Sequence, residues 1–419
     1  MSLHRVTELV AGRVRERLLR DLQDWVKRAS DPPYRPHQSQ IKAVSGSLHW
    51  LLQTLDEQAP QGPPIVQAAR RRRQYHRASA VWTYFTRRWH QREVETDQIW
   101  LVAADDLAWI VLEPHPRAAP VPPLVHLSPD HAPFAMTRSF SVSGVRERHG
   151  AAFREVLSQL PVPLIGVPWS LRGSVADLAL VVHEAAHVLV ASRGGADQLQ
   201  ALLPDGVDPA WSAWVSESFA DVFAAATLGD GYAATLSCEL ADVPEAIRNE
   251  APEAQSPYPP RTVRMALCQA AAGEATPTWE RWREAYPSAD AMKPLIEQAD
   301  RVANRLLEWN WEGSRLDDGL VRPPSRLVEQ WREVYTGRTP VFHDWRGSLL
   351  ASVAAAGSAR IDDPEGWEFE GVTHNLKALQ ENQRLRNDSS RSGGSGGRDG
   401  GDGSDDPPTV DLSPLDFFS

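Results

Sequence analysis

The chain has 419 residues and a net charge of −11, with a pI near 5.7. A chain of this length buries a large core and is expected to hold roughly two or three domains, while the acidic balance argues against generic binding to nucleic acid or an anionic membrane. No apolar leader-like run follows Met1, and no uncharged apolar stretch reaches the length of about eighteen residues that a spanning helix needs, so the expectation is an unsecreted, cytoplasmic protein with no membrane partner.

Val6, Leu9, Val10, Val14, Leu18, Leu22, Trp25 and Val26 recur at helical spacing and predict a helix from about Leu3 to Arg28, stopped by Asp31-Pro32-Pro33. Ile41, Val44, Leu48, Leu51, Leu52 and Leu55 predict a second, and Gln58 to Pro64 reads as a loop. From Arg70 to Arg92, arginines are interleaved with Tyr75, Trp82, Tyr84 and Trp89. Such a mixture can bind single-stranded nucleic acid. It can equally be a helix whose aromatic stripe packs inward while its arginines stay solvated or pair with acidic neighbours, or a docking face. The acidic whole and the lack of a nucleic-acid fold motif favour the inward-packing helix. Asp97 to Leu112 is apolar and fits helix or strand. Residues 1–115 are thus expected to form a helical N-terminal region.

After the proline-rich connection Pro114 to Pro123 come short runs with β character: Leu124 to Leu127, Phe140 to Val142 and Pro163 to Pro168. His115, His126, His131 and His149 lack ligand spacing, and a surface or hydrogen-bonded role is expected for each.

The stretch from Ser174 to Gly195 differs. Ser174 followed by Asp177 reads as a capping box. Leu178, Val181, Val182, Ala185, Val188 and Leu189 give an apolar body, and Gly194-Gly195 a stop. The helix is apolar almost all round and should be buried. At its centre stands His183-Glu184-Ala185-Ala186-His187. Imidazoles four positions apart share a helix face and reach one ion, and Glu184 can present its carboxylate to a water on that ion. With 13 histidines in the chain, the five-residue pattern arises by chance in roughly three of a hundred such sequences, so a second feature is required. It lies in Trp214 to Asp221, within a helix-like stretch opened by Asp208-Pro209 and closed by Gly229. Glu217 and Asp221 are again four apart. Glu217 can be a third ligand, and Asp221 can accept the outer N–H of a ligating histidine.

In these residues the chain resembles the gluzincin zinc metallopeptidases, the group that includes thermolysin. The resemblance implies a zincin-like core over residues 116–275, with Zn2+ held by His183, His187 and Glu217, Glu184 as general base and Asp221 behind the ligands. Glu217-Ser218-Phe219-Ala220-Asp221 is also similar to the E-x-x-A-D of the CAAX-processing peptidases. The similarity runs from about Pro161 to Ala272 and is specific only at the two motif helices, and the interval between His187 and Glu217 is wider than in thermolysin-like enzymes. In zincins the motif helix accompanies a small sheet whose edge strand pairs with extended substrate, which implies that role for one of the three β-like runs. Tyr258-Pro259-Pro260-Arg261 resembles the His-Pro-Pro-Arg of the CAAX-processing family with tyrosine in place of histidine. Tyr258, Arg261 and Arg264 are therefore candidates for steadying the oxyanion. The alternative is a turn that packs beneath the motif helices.

Gly231 to Ile247, Thr276 to Trp311, Leu327 to Tyr335 and Leu349 to Ala356 look helical, with Trp279, Trp282, Trp309 and Trp311 as core anchors. Residues 276–386 read as a helical C-terminal region. From Asn387 the composition changes. Arg391 to Asp406 has no apolar residue and reads as a flexible tether, ending in the acidic, aromatic segment Val410 to Ser419. That tip has the form of a docking motif for a partner protein or for the chain's own cleft; an inert tail is the alternative. Cys238 and Cys268, thirty residues apart and outside any C-x-x-C, read as reduced thiols. The expected whole is a mainly α-helical α+β protein acting as a zinc peptidase on a protein or peptide substrate. A non-catalytic zinc scaffold and a nucleic-acid-associated protein led by Arg70 to Arg92 are the rival classes.

Overall fold

The computed structural model describes residues 2–57, 62–115, 121–136, 162–192, 195–252, 256–273, 276–311, 314–335 and 345–362. The fold is mainly helical with a small three-stranded sheet, the α+β class expected from the sequence. No described helix is long and apolar enough to cross a membrane. Chain contacts define two units. The first comprises Met1–Asp105, Arg117–Arg172 and Ala191–Gly194, and the second Asp106–Pro116, Gly173–Val190 and the chain from Gly195 onward. The segment read as one core, residues 116–275, is shared between them: its strands group with the N-terminal helices and its motif helices with the C-terminal ones.

In the first unit, α1 (Leu3–Arg28), α2 (Gln38–Glu57) and α3 (Pro64–His90) follow the periodic segments; the ambiguous apolar stretch is a helix, α4 (Glu95–Leu112), whose residues up to Asp105 belong to this unit and the rest to the second. Periodicity could not decide there because α4 is buried on several sides: Trp100, Leu101, Ala104, Leu107 and Ala108 are all inaccessible. The aromatic stripe of α3 points inward. Tyr75, Trp82, Tyr84, Phe85 and Trp89 are buried, and Trp25 of α1 meets Trp82 edge-on at 6.1 Å and Trp89 at 5.5 Å. Arg71 pairs with Glu8, and the Arg88 guanidinium lies over the Tyr84 ring. These rings form core and present no open stacking platform.

Strands β1 (Leu124–Ser128), β2 (Phe134–Met136) and β3 (Leu164–Pro168) lie in the order β1-β3-β2, with β3 parallel to β1 and antiparallel to β2. Phe134 stands opposite Gly166, and a Cβ there would lie 2.3 Å from the ring, so glycine is what lets the phenyl close over the sheet. The free side of β1 is occupied by side chains. Val125 N–H donates to Asp105 and Leu127 N–H to Gln91, while the Val125 carbonyl accepts from Arg92 and the Leu127 carbonyl from Gln91. Arg92, fully buried, also donates to Asp105 at 2.6 Å and to His37 Nε2 at 3.0 Å. Two of the runs expected to supply a substrate-binding edge are thereby corrected: Leu124 to Leu127 has its outward groups satisfied, and Pro163 to Pro168 contains the central strand. Phe140 to Val142 and His149 lie outside the described residues.

His131 is exposed, whereas His115 and His126 are buried. The His126 ring sits near Tyr84 and Phe134, and burial, reinforced by Arg88 and Arg92, holds its pKa well below the usual imidazole value. Such a group stabilises the fold fully above the unfolded pKa of about 6.5 and loses that contribution as pH falls below it, by up to about 1.4 kcal/mol per pH unit. Urea unfolding monitored by tryptophan fluorescence should show wild type losing stability between pH 7 and 5, and His126→Leu losing less.

The second unit contains α5 (Ala179–Ala191), α6 (Gly195–Gln200), α7 (Trp211–Leu228), α8 (Asp230–Leu240), α9 (Pro244–Arg248), α10 (Arg261–Ala272), α11 (Pro277–Ala285) and α12 (Lys293–Leu307). A hairpin of β4 (Asn310–Trp311) and β5 (Ser314–Arg315), α13 (Leu316–Gly319), α14 (Ser325–Tyr335) and α15 (Trp345–Asp362) complete it. The region from Thr276 to Trp311, read as helical, is two helices followed by a short strand. Pro287 removes a donor and disfavours helical backbone at Tyr286, which ends α11, and the chain pairs as strands after Trp309. Of the expected anchors, Trp282 and Trp309 are buried, whereas Trp279 is half-buried. Cys238 and Cys268 are free thiols. Helices α8 and α15 touch through glycines: a Cβ on Gly231 would lie 2.2 Å from the Ala354 carbonyl oxygen, and one on Gly357 2.0 Å from that of Gly231. Backbones meet there with no side chain between them, which fixes the position of the next residue, Tyr232. The tail from Asn387 to Ser419 lies outside the described residues.

Candidate metal centre

Helix α5 begins after a 3-10 turn at Ala176–Leu178, where the Ser174 hydroxyl oxygen accepts from the Asp177 backbone N–H. The Asp177 carboxylate bonds to Arg360 at 2.7 Å. Eleven of the thirteen residues of α5 are buried, His183 and Glu184 of the motif among them, while His187 is half-buried. Helix α7 starts where the Asp208 carboxylate accepts from Ala210 N–H, and Gln298 of α12 accepts from Asp208 N–H and the Trp211 indole. It ends at Gly229, whose φ of 62° lies in the left-handed region.

The two helices bring together the residues expected from the two motifs. The His183 and His187 rings stand 5.0 Å apart, edge to face. Glu217 reaches both, with Oε2 3.3 Å from His183 Nε2 and Oε1 3.4 Å from His187 Nε2. Donor atoms of all three lie within 4.8 Å of one another. Zinc at about 2.0–2.1 Å from each of four tetrahedral ligands sets them roughly 3.3 Å apart. The spacing therefore suits a small divalent ion, and two imidazoles with one carboxylate are a borderline-soft donor set that suits zinc.

Behind the ligands the polar groups are saturated. Asp221 Oδ1 lies 3.1 Å from His183 Nδ1, and its carboxylate takes two bonds from Arg264, Nε to Oδ2 at 2.7 Å and Nη2 to Oδ1 at 2.8 Å. Tyr232 donates to Asp221 Oδ1 at 2.6 Å, and its oxygen lies 2.9 Å from His183 Nδ1. On the other histidine, Nδ1 of His187 is 3.4 Å from the Ser216 hydroxyl.

Burial works against every charge here, and the pairings decide the outcome. Burial penalises the imidazolium of His183, but hydrogen bonds and attraction from Asp221 and Glu217 outweigh it and push its pKa up to about 10. Burial likewise opposes ionised Asp221, but the Arg264 guanidinium brings it down to about 2. Glu217 is held well below the carboxylate range, burial being overcome by His187 and His183. Glu184 differs: burial dominates and pushes its carboxyl up, with His187 and His183 only opposing. On the Nε2 side of the two imidazoles the carboxylate present is that of Glu217, while the charge of Asp221 is paired with Arg264.

The three oxyanion candidates occupy different places. Arg264 is buried and both its bonding nitrogens serve Asp221. Arg261 is turned to Asp242 at 3.0 Å, and its backbone N–H donates to Glu250. Tyr258 is 52% exposed, with Arg264 near its ring face at 5.8 Å, and the charge of Glu217, then burial, raises its pKa. Tyr232 had no motif to mark it. Its only trace in the sequence is a tyrosine on a helix of small residues, where a buried phenol needs a partner.

No family model matches the chain, and comparison with curated proteins and with solved structures gives no match either. The chemistry therefore rests on the geometry of these residues.

Proposed function

We propose that the protein is a zinc-dependent peptidase of gluzincin type, with a zincin-like catalytic core, cleaving peptide bonds in a protein substrate of the cytoplasm. One observation carries this reading: Glu217 of α7 meets both imidazoles of α5 while Glu184, adjacent to His183 and buried, is left for chemistry. A structural zinc site has no use for that fourth group.

His183, His187 and Glu217 would hold a zinc ion, which would supply Lewis acidity toward the scissile carbonyl and acidify water. Glu184 takes the proton from the attacking water and returns it to the leaving amine as the C–N bond breaks. Burial raises its carboxyl pKa, the direction that suits a group that must both accept and release a proton. Asp221 and Ser216 set the orientation of the two histidines. Of the three oxyanion candidates, Tyr258 is the one with an exposed side chain: Arg264 is committed to Asp221 and Arg261 to Asp242, so Tyr258 is assigned to the carbonyl oxygen.

Elemental analysis of the purified protein tests the reading. Wild type should carry about one zinc per chain, and Glu217→Gln or His183→Ala should lose most of it. Wild type free of metal after growth and dialysis with zinc, or full retention in Glu217→Gln, would overturn it.

A further inference from the structure

Tyr232 stands outside both motifs, yet it touches more of the centre than Ser216 does. Its phenol is fully buried and lies against the ring of His183, nearly parallel at 16° with centroids 6.2 Å apart. Its oxygen is within hydrogen-bond distance of both His183 Nδ1 and Asp221 Oδ1. Asp221 is already gripped on both oxygens by Arg264, so a large part of its acceptor capacity is spent away from the histidine. For His183 Nε2 to ligate, the imidazole proton must sit on Nδ1, and that N–H then has the Asp221 carboxylate and the Tyr232 oxygen before it.

We propose that Tyr232 is a positioning residue of the metal centre: its hydroxyl donates to Asp221 and accepts from His183 Nδ1–H, holding the ring in the tautomer and orientation that turn Nε2 toward the ion. The proposal rests on the metal reading above. The support is twofold. The hydroxyl closes a triangle with the carboxylate and the imidazole, so loss of the phenol oxygen leaves Nδ1 of His183 with Asp221 alone, an already loaded partner. The glycine contact of α8 with α15 also places the tyrosine from the backbone, with Gly231 immediately before it, so its position does not depend on a flexible side chain elsewhere.

The test is cobalt and zinc binding by the full-length protein. Tyr232→Phe keeps the ring and removes only the oxygen. Zinc affinity, read by competition with a chromophoric chelator, should fall about 10–100-fold, and the visible bands of the cobalt form should shift, while far-UV circular dichroism stays unchanged. A purely structural tyrosine would leave the bands where they are. Site-specific 3-fluorotyrosine at position 232 keeps the shape and acidifies the hydroxyl, which covers the case in which the phenylalanine variant does not fold. It should change zinc affinity by at least about twofold and move the same bands. Wild type that binds cobalt, with affinity and bands unaltered by either replacement, overturns this proposal and leaves the metal reading standing. Wild type that takes up no metal overturns both.

Discussion

Glu184→Gln should bind zinc like the wild type and cut substrate about 10²–10⁴-fold more slowly, the range that a positioned general base contributes. The substitution changes one atom on a buried side chain that lies outside the cluster of His183, His187 and Glu217 and outside the hydrogen bonds around Asp221. It leaves size and packing intact but removes the proton acceptor. The measurement is a proteome-wide comparison of new termini generated by wild type and variant, with metal content determined on the same preparations. Equal metal and vanished cleavage support the assigned role. Equal cleavage means that Glu184 is not the base. Loss of metal from Glu184→Gln would show that this carboxylate is a ligand.

The second large effect is on stability. Arg264→Met should destabilise the second unit by about 3–5 kcal/mol, because removing one partner of a buried pair strands the other charge. Asp221 is inaccessible, and both of its oxygens receive bonds from Arg264. The same ion pair holds the Asp221 pKa near 2, so without the guanidinium the carboxylate loses the contact that keeps it ionised. Thermal or urea unfolding checks this, and the doubly substituted Asp221→Asn, Arg264→Met protein should recover part of the loss. An unchanged midpoint in the single variant would mean that the pair contributes nothing to the fold.

Much of this architecture was legible in the chain, for identifiable reasons. The long N-terminal helices were readable because their apolar residues repeat at 3.6 and prolines mark their ends. The meeting of His183, His187 and Glu217 was readable because two motifs of fixed spacing each put two chemically apt side chains on one helix face. The nature of α4 was hidden, since a helix buried on several sides loses its periodicity. The break after α11 was missed although Pro287 was there to suggest it, and the hairpin of β4 and β5 was missed because strands of two residues carry no alternation. Tyr232 and the clamp of Arg264 on Asp221 depend on helices brought together by tertiary packing. His183 to Tyr232 spans 49 residues and Asp221 to Arg264 spans 43. No local pattern links positions so far apart.

The expected substrate-pairing margin shows the same limit. Gln91, Arg92 and Asp105 look in the sequence like ordinary helix polar residues, yet they serve as a surrogate fourth strand along β1. A sheet finished in this way has nothing on that flank for a neighbouring molecule to zip onto, so these three side chains close β1 to edge-to-edge pairing.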